Sequence, residues 1–414
     1  MFKVTGLAAR NLARYWRRTL LTAGLVVLGV VAVLVFISVA GSFKSLIVGQ
    51  ITDSMLGHIQ IHRRGYVASI DNLPLNLNMS PGQVAKVEQA LAANKNVEAF
   101  SPRIKFGAMF SNFTETTSIR LNGVMPSREA ATVPLLPKRL IAGSAADGLV
   151  QRGKILVPRI LAHGMKLKVG DTVVLVATNL DGSVNGKTFV IQGVLDDVTG
   201  PGGRDGYVNI EDARELLRMN KPEVSEIAVR LKDPHHIDQT RAALQKALAG
   251  VRNPKGEPAL EVHTWERLTP FSNIAHMIDL LDVFIRVMLV GIVLIAVMNV
   301  MMMAVYERIR EIGMVAAIGT PPRRILSLFL TEGLLLGLIG VAVGTALSLA
   351  VVWALNVWPV HFAFARQVFT LAPSLPLINI TVIGVIVLAV AALASLQPAW
   401  KAARMDPIRA LRHT

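Results

Sequence analysis

Residues Tyr306–Ile325 read YERIREIGMVAAIGTPPRRI, a charged segment that lies between two long apolar stretches. A helix of about 20 apolar residues is long enough to cross the ~30 Å hydrocarbon core of a bilayer. Four stretches meet this requirement: Leu20–Ala40, Val287–Val305, Ile325–Val352 and Leu377–Leu396. The sequence therefore predicts a membrane protein with four transmembrane α-helices, one near the N-terminus and three in the C-terminal third.

Basic residues flank these spans unevenly. The net charge is +5 before the first span, +2 between the second and third, and +3 after the fourth, out of +15 for the chain. Lysine and arginine are enriched in the cytoplasmic loops of membrane proteins. We therefore expect both termini and Tyr306–Ile325 to be cytoplasmic. The basic excess indicates topology and lipid headgroup contact rather than nucleic-acid binding, because no aromatic-basic platform accompanies it.

Spans and flanking charges together divide the chain into nine segments. We expect four transmembrane spans at 20–40, 278–305 (with an outer stalk), 326–352 and 377–396. The expected cytoplasmic segments are an amphipathic N-terminus at 1–19, a coupling helix at 306–325 and a tail at 397–414. The expected extracytoplasmic segments are a domain at 41–277 and a loop at 353–376. A cleaved signal peptide is the alternative for the first span. We favour an uncleaved anchor, because a signal peptide's apolar core runs about 7–15 residues.

Residues 41–277 alternate between helical and strand-like patterns, which predicts an α+β domain. Pro81–Asn94 has apolar residues on one helical face, and Thr172–Ala177 and Thr188–Leu195 alternate as paired strands do. We expect two βαβ-like halves divided near Pro134–Gly143. The chain has no cysteine, so disulfides do not stabilise this domain.

Three features of this domain resemble binding sites for phosphate, an anion or a metal ion. Gly182–Thr188 resembles a phosphate-binding loop, but it has three residues between its glycines and lies between two strands, so we interpret it as a hairpin turn. The glycines of Gly200–Gly206 suit either an anion site or a plain surface loop, and we favour the loop. His58 and His62 lack partners for a metal site. We expect no catalytic, cofactor or metal site, and therefore no enzyme activity of this chain by itself.

The third span contains an acid and a regular series of glycines. Glu332 lies about two turns into the span, where an ionisable residue is a functional candidate; the alternative is an interfacial position near Arg323 or Arg324. The glycines are spaced as in small-xxx-small motifs, which bring helices close together within a subunit or across a dimer. They are Gly333, Gly337, Gly340 and Gly344.

The segment between the second and third spans has the features of a docking helix. Its charged residues fall within a single helical turn and a half, and its glycines permit a sharp bend before Pro321-Pro322 starts the next helix. We expect it to contact a soluble partner. The predicted coupling residues are Glu307, Arg308, Arg310, Glu311, Gly313, Gly319 and Arg323.

Three stretches resemble the FtsX/MacB/LolC-LolE family of ABC transporter permeases: ERIREIGMVAAIG (Glu307–Gly319), TEGLLLGLIGVAVG (Thr331–Gly344) and QPAWKAARMDPIRALR (Gln397–Arg412). The layout of one plus three spans with a large exported insert is this family's architecture. The resemblance implies a second permease subunit, identical or paralogous, and a dimer of cytoplasmic ATPase subunits. ATP and Mg²⁺ would bind those subunits, and no cofactor is expected on this chain.

Within that family, Met55–Tyr66 and Asp205–Arg218 most resemble the lipoprotein-releasing LolC/LolE branch. In that branch a protruding hairpin of LolC recruits a periplasmic carrier protein. The matching residues here are Leu180, Asp181, Gly182, Ser183, Val184, Asn185, Gly186 and Lys187, although this hairpin is short and has no proline.

These observations lead to a transport hypothesis with two alternatives. The leading one is an inner-membrane ABC permease that couples ATP hydrolysis to periplasmic motion and extracts lipoproteins or other lipid-anchored cargo. A MacB-like mechanotransmission efflux permease is the alternative within transport. An FtsX-like signalling scaffold that activates cell-wall hydrolases is the alternative from another class.

Overall fold

The computed structural model describes residues 6, 8, 10, 11, 13, 14, 16–145, 148–198, 203–364 and 367–406, without the side chains of residues 18, 362–364 and 367–369. The predicted N-terminus at 1–19, the loop beginning at Gly200 and the tail at 397–414 lie partly outside this range. The chain separates into two compact units. Met1–Ser45 with His276–Thr414 form the membrane unit, and Leu46–Ala275 form the sheet unit.

Four helices of the described chain are long and apolar enough to cross a membrane. They are α1 (Trp16–Ile51), α7 (Ser272–Glu307), α9 (Pro322–Val357) and α10 (Leu377–Ala403). The one-plus-three arrangement is therefore confirmed. The first three are 36 residues long, or about 54 Å at 1.5 Å per residue. Each helix extends well beyond the predicted span, because the helical pattern continues into the polar flanks.

A short helix, α8 (Ile309–Ala317), lies between α7 and α9, and a small hairpin lies between α9 and α10. The hairpin consists of β11 (His361–Phe364) and β12 (Gln367–Thr370), which pair antiparallel. The core of the membrane unit is formed by apolar side chains of all four long helices, including Leu34, Val293, Leu336 and Val387.

The sheet unit contains ten strands and five α-helices among its described residues. The strands are β1 (Ile59–Arg63), β2 (Val97–Ser111), β3 (Thr116–Val124), β4 (Leu140–Gly143), β5 (Lys154–Pro158), β6 (Thr172–Thr178), β7 (Val184–Leu195), β8 (Gly206–Asn209), β9 (Glu226–Leu231) and β10 (Leu260–Thr264). The helices are α2 (Pro81–Ala93), α3 (Pro126–Thr132), α4 (Arg159–Gly164), α5 (Ile210–Leu216) and α6 (Ile237–Leu248). Its predicted α+β class is confirmed.

The strands form one sheet in the order β10-β1-β9-β2-β3-β8-β5-β7-β4, with β6 pairing both β2 and β7. Six of them, β2-β3-β8-β5-β7-β6, therefore close into a ring. The expectation of two βαβ-like halves divided near Pro134–Gly143 is wrong. Sequence neighbours β2–β3 and β6–β7 pair antiparallel as hairpins, and hairpins need no crossover helix. Leu140–Gly143 is itself an edge strand of the same sheet.

Alternating apolar residues fill the inside of this ring. In β6 the buried residues are Val173, Leu175 and Ala177, and their neighbours face outward. They pack with Phe106, Phe189 and others in one continuous apolar cluster. Period-two alternation of this kind places one face of a strand in the core, and it is the signal that made β6 and β7 visible in the sequence.

Candidate functional site

The segment between α7 and α9 folds as a bent helical hairpin. The long helix α7 ends at Glu307, Arg308 leaves the helical conformation with φ −109° and ψ 16°, and α8 begins at Ile309. The predicted single helix bearing all four charged residues is therefore wrong, because the chain turns at Arg308. Gly313 lies buried inside α8, so it does not bend the chain there. Gly319, at φ +91°, provides the bend.

One face of α8 combines charged and apolar side chains that no other part of the described chain covers. Glu307, Arg310 and Glu311 are exposed, and so is Arg323 in the first turn of α9. Beside them Met314 is 54% exposed and Ile318 is 80% exposed. The sequence reasoning missed these apolar residues. They could have been found from the periodicity of α8, since its buried side is made by Ile312 and Gly313 and leaves Met314 and Ile318 on the other side.

Arg308 does not belong to this exposed face. It is 8% exposed, and its Nη1 donates a hydrogen bond to Glu332 Oε1 at 3.0 Å. Glu332 is 2% exposed and also accepts a hydrogen bond from Asn11 Nδ2 at 2.6 Å. The interfacial alternative suggested Arg323 or Arg324 as its neighbour; the hydrogen-bond partners that the structure gives Glu332 are instead Asn11 and the arginine at the break between α7 and α8.

This arrangement fixes the position of the hairpin. A buried ion pair that is broken on one side leaves an uncompensated charge, which is strongly unfavourable. Arg308 and Glu332 therefore hold the start of α8 against α9, and Asn11 brings the N-terminal segment to the same carboxylate. We call Asn11, Arg308 and Glu332 the polar node.

The glycines of α9 lie at two close helix contacts within the chain. A Cβ added at Gly337 would lie 2.9 Å from Ala391 Cβ, and one at Gly333 would lie 2.5 Å from Ser395. Gly340 and Gly344 instead approach Val26 and Val30 of α1. The first pair of glycines thus packs α9 on α10, and the second pair packs α9 on α1.

The hairpin Leu180–Lys187 is tighter than the sequence indicates. Strand β7 already begins at Val184, which pairs with Thr178, so the turn is confined to 179–183. Lys187 bonds Asp212 Oδ1 at 2.9 Å and also Glu215, and these contacts raise its pKa despite partial burial. The base of the hairpin is thus held against α5. The tip remains open, with Leu180 46% and Val184 63% exposed.

A row of buried charges crosses the sheet. Glu226 lies directly opposite His62 in β1 and Arg103 in β2. Arg103 bonds Glu226 at 3.0 Å and Glu129 at 2.8 Å, and Lys105 lies 3.1 Å from Glu226. Burial alone would raise the pKa of Glu226, but the charges of Lys105 and Arg103 outweigh it and hold this pKa well below its usual range.

His62 belongs to the same row. Its Nε2 lies 3.5 Å from Glu226 Oε2, too far for a good hydrogen bond. Full burial lowers the pKa of His62 below 6.5, and the nearby Glu226 carboxylate only partly opposes this effect. No cluster of three or more histidine, cysteine, aspartate or glutamate side chains suited to a metal ion occurs in the described part of the chain. This row of charged and polar side chains links β1, β9 and β2 to one another and to the helix α3.

The helix α7 presents a continuous apolar seam to its surroundings. Met277, Leu280, Phe284 and Val287 follow a three–four spacing and are all more than half exposed. The opposite side of α7 faces the membrane-unit core through Leu289, Val293 and other residues. A three–four repeat is the pattern by which one helix packs along another.

Four helices suited to cross a membrane, an α+β insert after the first and an exposed helical hairpin after the second indicate a multi-pass membrane protein. Residues 19–247 match the MacB-like periplasmic core domain, and residues 283–407 match the FtsX-like permease C-terminal domain. The first match covers more than half of the chain. The chain belongs to the family with the MacB-like periplasmic core domain, and the predicted FtsX/MacB/LolC-LolE assignment is confirmed.

Among its relatives, the lipoprotein-releasing system transmembrane protein LolC of Neisseria meningitidis serogroup B is 24% identical over 418 residues, covering 95% of this chain and 94% of LolC. The pyoverdine export ATP-binding/permease protein PvdT of Pseudomonas syringae pv. tomato is 30% identical over 229 residues, covering 54% of this chain and 33% of PvdT. The periplasmic region of MacB from Actinobacillus actinomycetemcomitans covers 53% of this chain and 92% of that structure at 11% identity, with a TM-score of 0.36.

These matches establish the general class of the protein. It is a permease subunit of an ABC transporter, a multi-pass protein of the bacterial inner membrane that works with an ATPase.

Proposed function

We propose that this permease couples ATP hydrolysis by a cytoplasmic ATPase dimer to motion of its sheet unit, and that it thereby extracts lipoproteins or other lipid-anchored cargo from the inner membrane. The observation that supports the coupling is the mixed charged and apolar face of α8, joined to the membrane helices through the polar node. Similarity to LolC along nearly the whole of both chains supports the cargo class.

The orientation follows from the same proposal. The basic flanks support an orientation with both termini and α8 in the cytoplasm, where the proposed ATPase dimer would bind ATP and Mg²⁺. Glu307, Arg310, Glu311 and Arg323 then contact the ATPase, with Ile318 as an apolar anchor. This chain itself binds no nucleotide and catalyses no reaction in this scheme. Leu180–Val184 at the tip of the hairpin are the candidate contact for a periplasmic carrier.

A second permease subunit completes the proposed assembly. The apolar seam of α7 extends over four exposed positions, and it suits a parallel helix of an identical or paralogous subunit. Because the chain has no cysteine, a single Phe284→Cys substitution permits specific oxidative cross-linking. A homodimer should then give a disulfide-linked product of twice the mass of the chain, with an added oxidant taking up the two electrons. A heterodimer should give no such product unless the paralogous partner also carries a cysteine at the facing position. Val293→Cys, buried in the membrane-unit core, is the matched control and should give none.

The first experiment is affinity purification of the tagged full-length protein from its own membranes, followed by mass spectrometry. Recovery of an ATPase together with acylated lipoproteins supports extraction. Recovery of an ATPase with a periplasmic adaptor and no lipoprotein would instead favour efflux, the second candidate, to which the matches with PvdT and MacB point. Absence of any ATPase would contradict the proposed coupling.

A further inference from the structure

The six-strand ring of the sheet unit is incomplete on one side. Strand β8 has four residues and pairs with β3 only over Leu121–Val124. Strand β3 continues for five more residues, Thr116–Arg120, which pair with β2 on the other side. Among the described residues no strand pairs with the outer edge of this stretch. Unpaired backbone at a strand edge is a template for another extended chain.

A cleft of about 570 Å³ lies at this gap. Its lining includes Met109, Ser118, Arg120, Leu161, Val176 and Arg204, contributed by β2, β3, β6, α4 and the segment before β8. Met109 is 48% exposed, so the cleft offers apolar surface directly to solvent. None of the described residues that line it is acidic.

Arg204 gives the cleft a positive charge, and Arg120 adds a guanidinium of fixed direction that is paired with Asp205. Arg120 Nε donates to Asp205 Oδ1 at 3.1 Å, and Asp205 is itself held by Asn122 Nδ2 at 3.2 Å. Asp205 and Asn122 are both buried. The guanidinium of Arg120 is thereby oriented while its side chain stays 53% exposed. Arg204 is exposed beside it.

We propose that this cleft binds an extended, acidic and apolar peptide segment of a partner protein, which adds a strand to the free edge of β3. Main-chain hydrogen bonds to Thr116–Arg120 supply register, and side chains on the outward face of the added strand lie beside Ser118 and Arg120, in the same row as the apolar side chain of Met109. Acidic side chains pair with Arg120 and Arg204. The edge spans five residues, so the matching segment is about 17 Å long at ~3.3 Å per residue. This inference does not depend on the cargo or direction of transport.

The test uses full-length protein in lipid nanodiscs and a fluorescein-labelled peptide, acetyl-Val-Glu-Val-Asp-Val-amide, with binding followed by fluorescence anisotropy. We expect saturable binding that weakens with added salt, because the charge pairs are exposed. Arg204→Glu should weaken binding about tenfold or more, since it replaces a charge-assisted contact by repulsion. Arg152→Glu, another exposed arginine of the sheet unit, is the matched control and should bind as wild type.

A variant that blocks the cleft and a basic control peptide provide two further tests of the proposal. Ser118→Tyr fills the cleft with a residue that strands favour, and it should abolish binding while the far-ultraviolet circular dichroism stays unchanged. A peptide with lysine in place of both acids should not bind. Equal affinity for the acidic and basic peptides would overturn the proposal, as would unaltered binding by Arg204→Glu and Ser118→Tyr, or no binding of the acidic peptide by wild type.

Discussion

Replacing one member of the Arg308–Glu332 pair should destabilise the membrane unit, whereas replacing both should restore it. The change we choose is methionine at either position or at both, because methionine keeps side-chain length and adapts to irregular surroundings. Arg308→Met leaves the buried Glu332 carboxylate without its cation, and Glu332→Met removes the carboxylate that pairs with Arg308. The double variant removes both charges.

The structure sets the size of the expected effect. At 3.0 Å the two charges attract by about 5 kcal/mol for an effective dielectric constant of about 20. Desolvation offsets much of this energy, and breaking a buried pair on one side typically costs ~3–5 kcal/mol. We expect Arg308→Met to fall in that range, because Asn11 is then the remaining hydrogen-bond partner of Glu332 in the described part of the chain. Glu332→Met should cost less, since Arg308 has further interactions.

The assay is unfolding of the purified full-length protein in mixed detergent micelles, followed by tryptophan fluorescence. The double variant should lie within about 1 kcal/mol of wild type, because an apolar pair often replaces a buried ion pair at little cost. A double variant whose loss equals the sum of the single losses would refute the reasoning. So would single variants with wild-type free energies of unfolding.

Three further predictions concern other parts of the chain. Glu311→Lys, on the exposed face of α8, should leave unfolding within about 0.5 kcal/mol of wild type yet lower transport per ATP hydrolysed in the reconstituted complex; normal transport would exclude this residue from the contact. Gly340→Leu should cost ~1–3 kcal/mol through overpacking against α1, whereas Gly291→Leu meets no atom within 4 Å and should not; equal unfolding midpoints would contradict the packing. The midpoint temperature of thermal unfolding should decrease when the pH is lowered from 7.5 to 5.5. Burial lowers the pKa of His62 in the folded state, so the unfolded state takes up a proton first as the pH falls. His62→Gln should reduce this decrease, whereas His235→Gln, at an exposed position, should not.

Much of this fold could be predicted from local patterns. Absence of charge over about 20 residues marks each membrane span, and period-two alternation marks strands such as Thr172–Thr178. Small-xxx-small spacing indicates close helix contacts, although only the structure assigns Gly337 to α10 and Gly344 to α1. These features depend on neighbours in the sequence, so they need no knowledge of tertiary structure.

The remaining features arise from contacts between distant residues. No proline or glycine marks the break at Arg308, whose side chain is drawn to Glu332 across 24 positions of the sequence. Arg323 and Arg324 are closer to Glu332 in the sequence, but both lie exposed at the start of α9. Ring closure likewise depends on β6 pairing with β2, which no local pattern specifies. Sequence proximity was therefore the wrong guide to the partner of a buried charge.

The position of β1 in the sheet has a consequence for how the protein is made. Ile59 in β1 pairs with Val229 in β9 and with Thr264 in β10, and most of the sheet unit separates these residues along the chain. Synthesis delivers the N-terminal part first, so β1 emerges long before either partner exists. Pairings of such high contact order form late and slowly. Strand β1, which follows the first membrane helix in the sequence, therefore stays unpaired until nearly the entire sheet unit has been synthesised. During that time its backbone is available for aggregation.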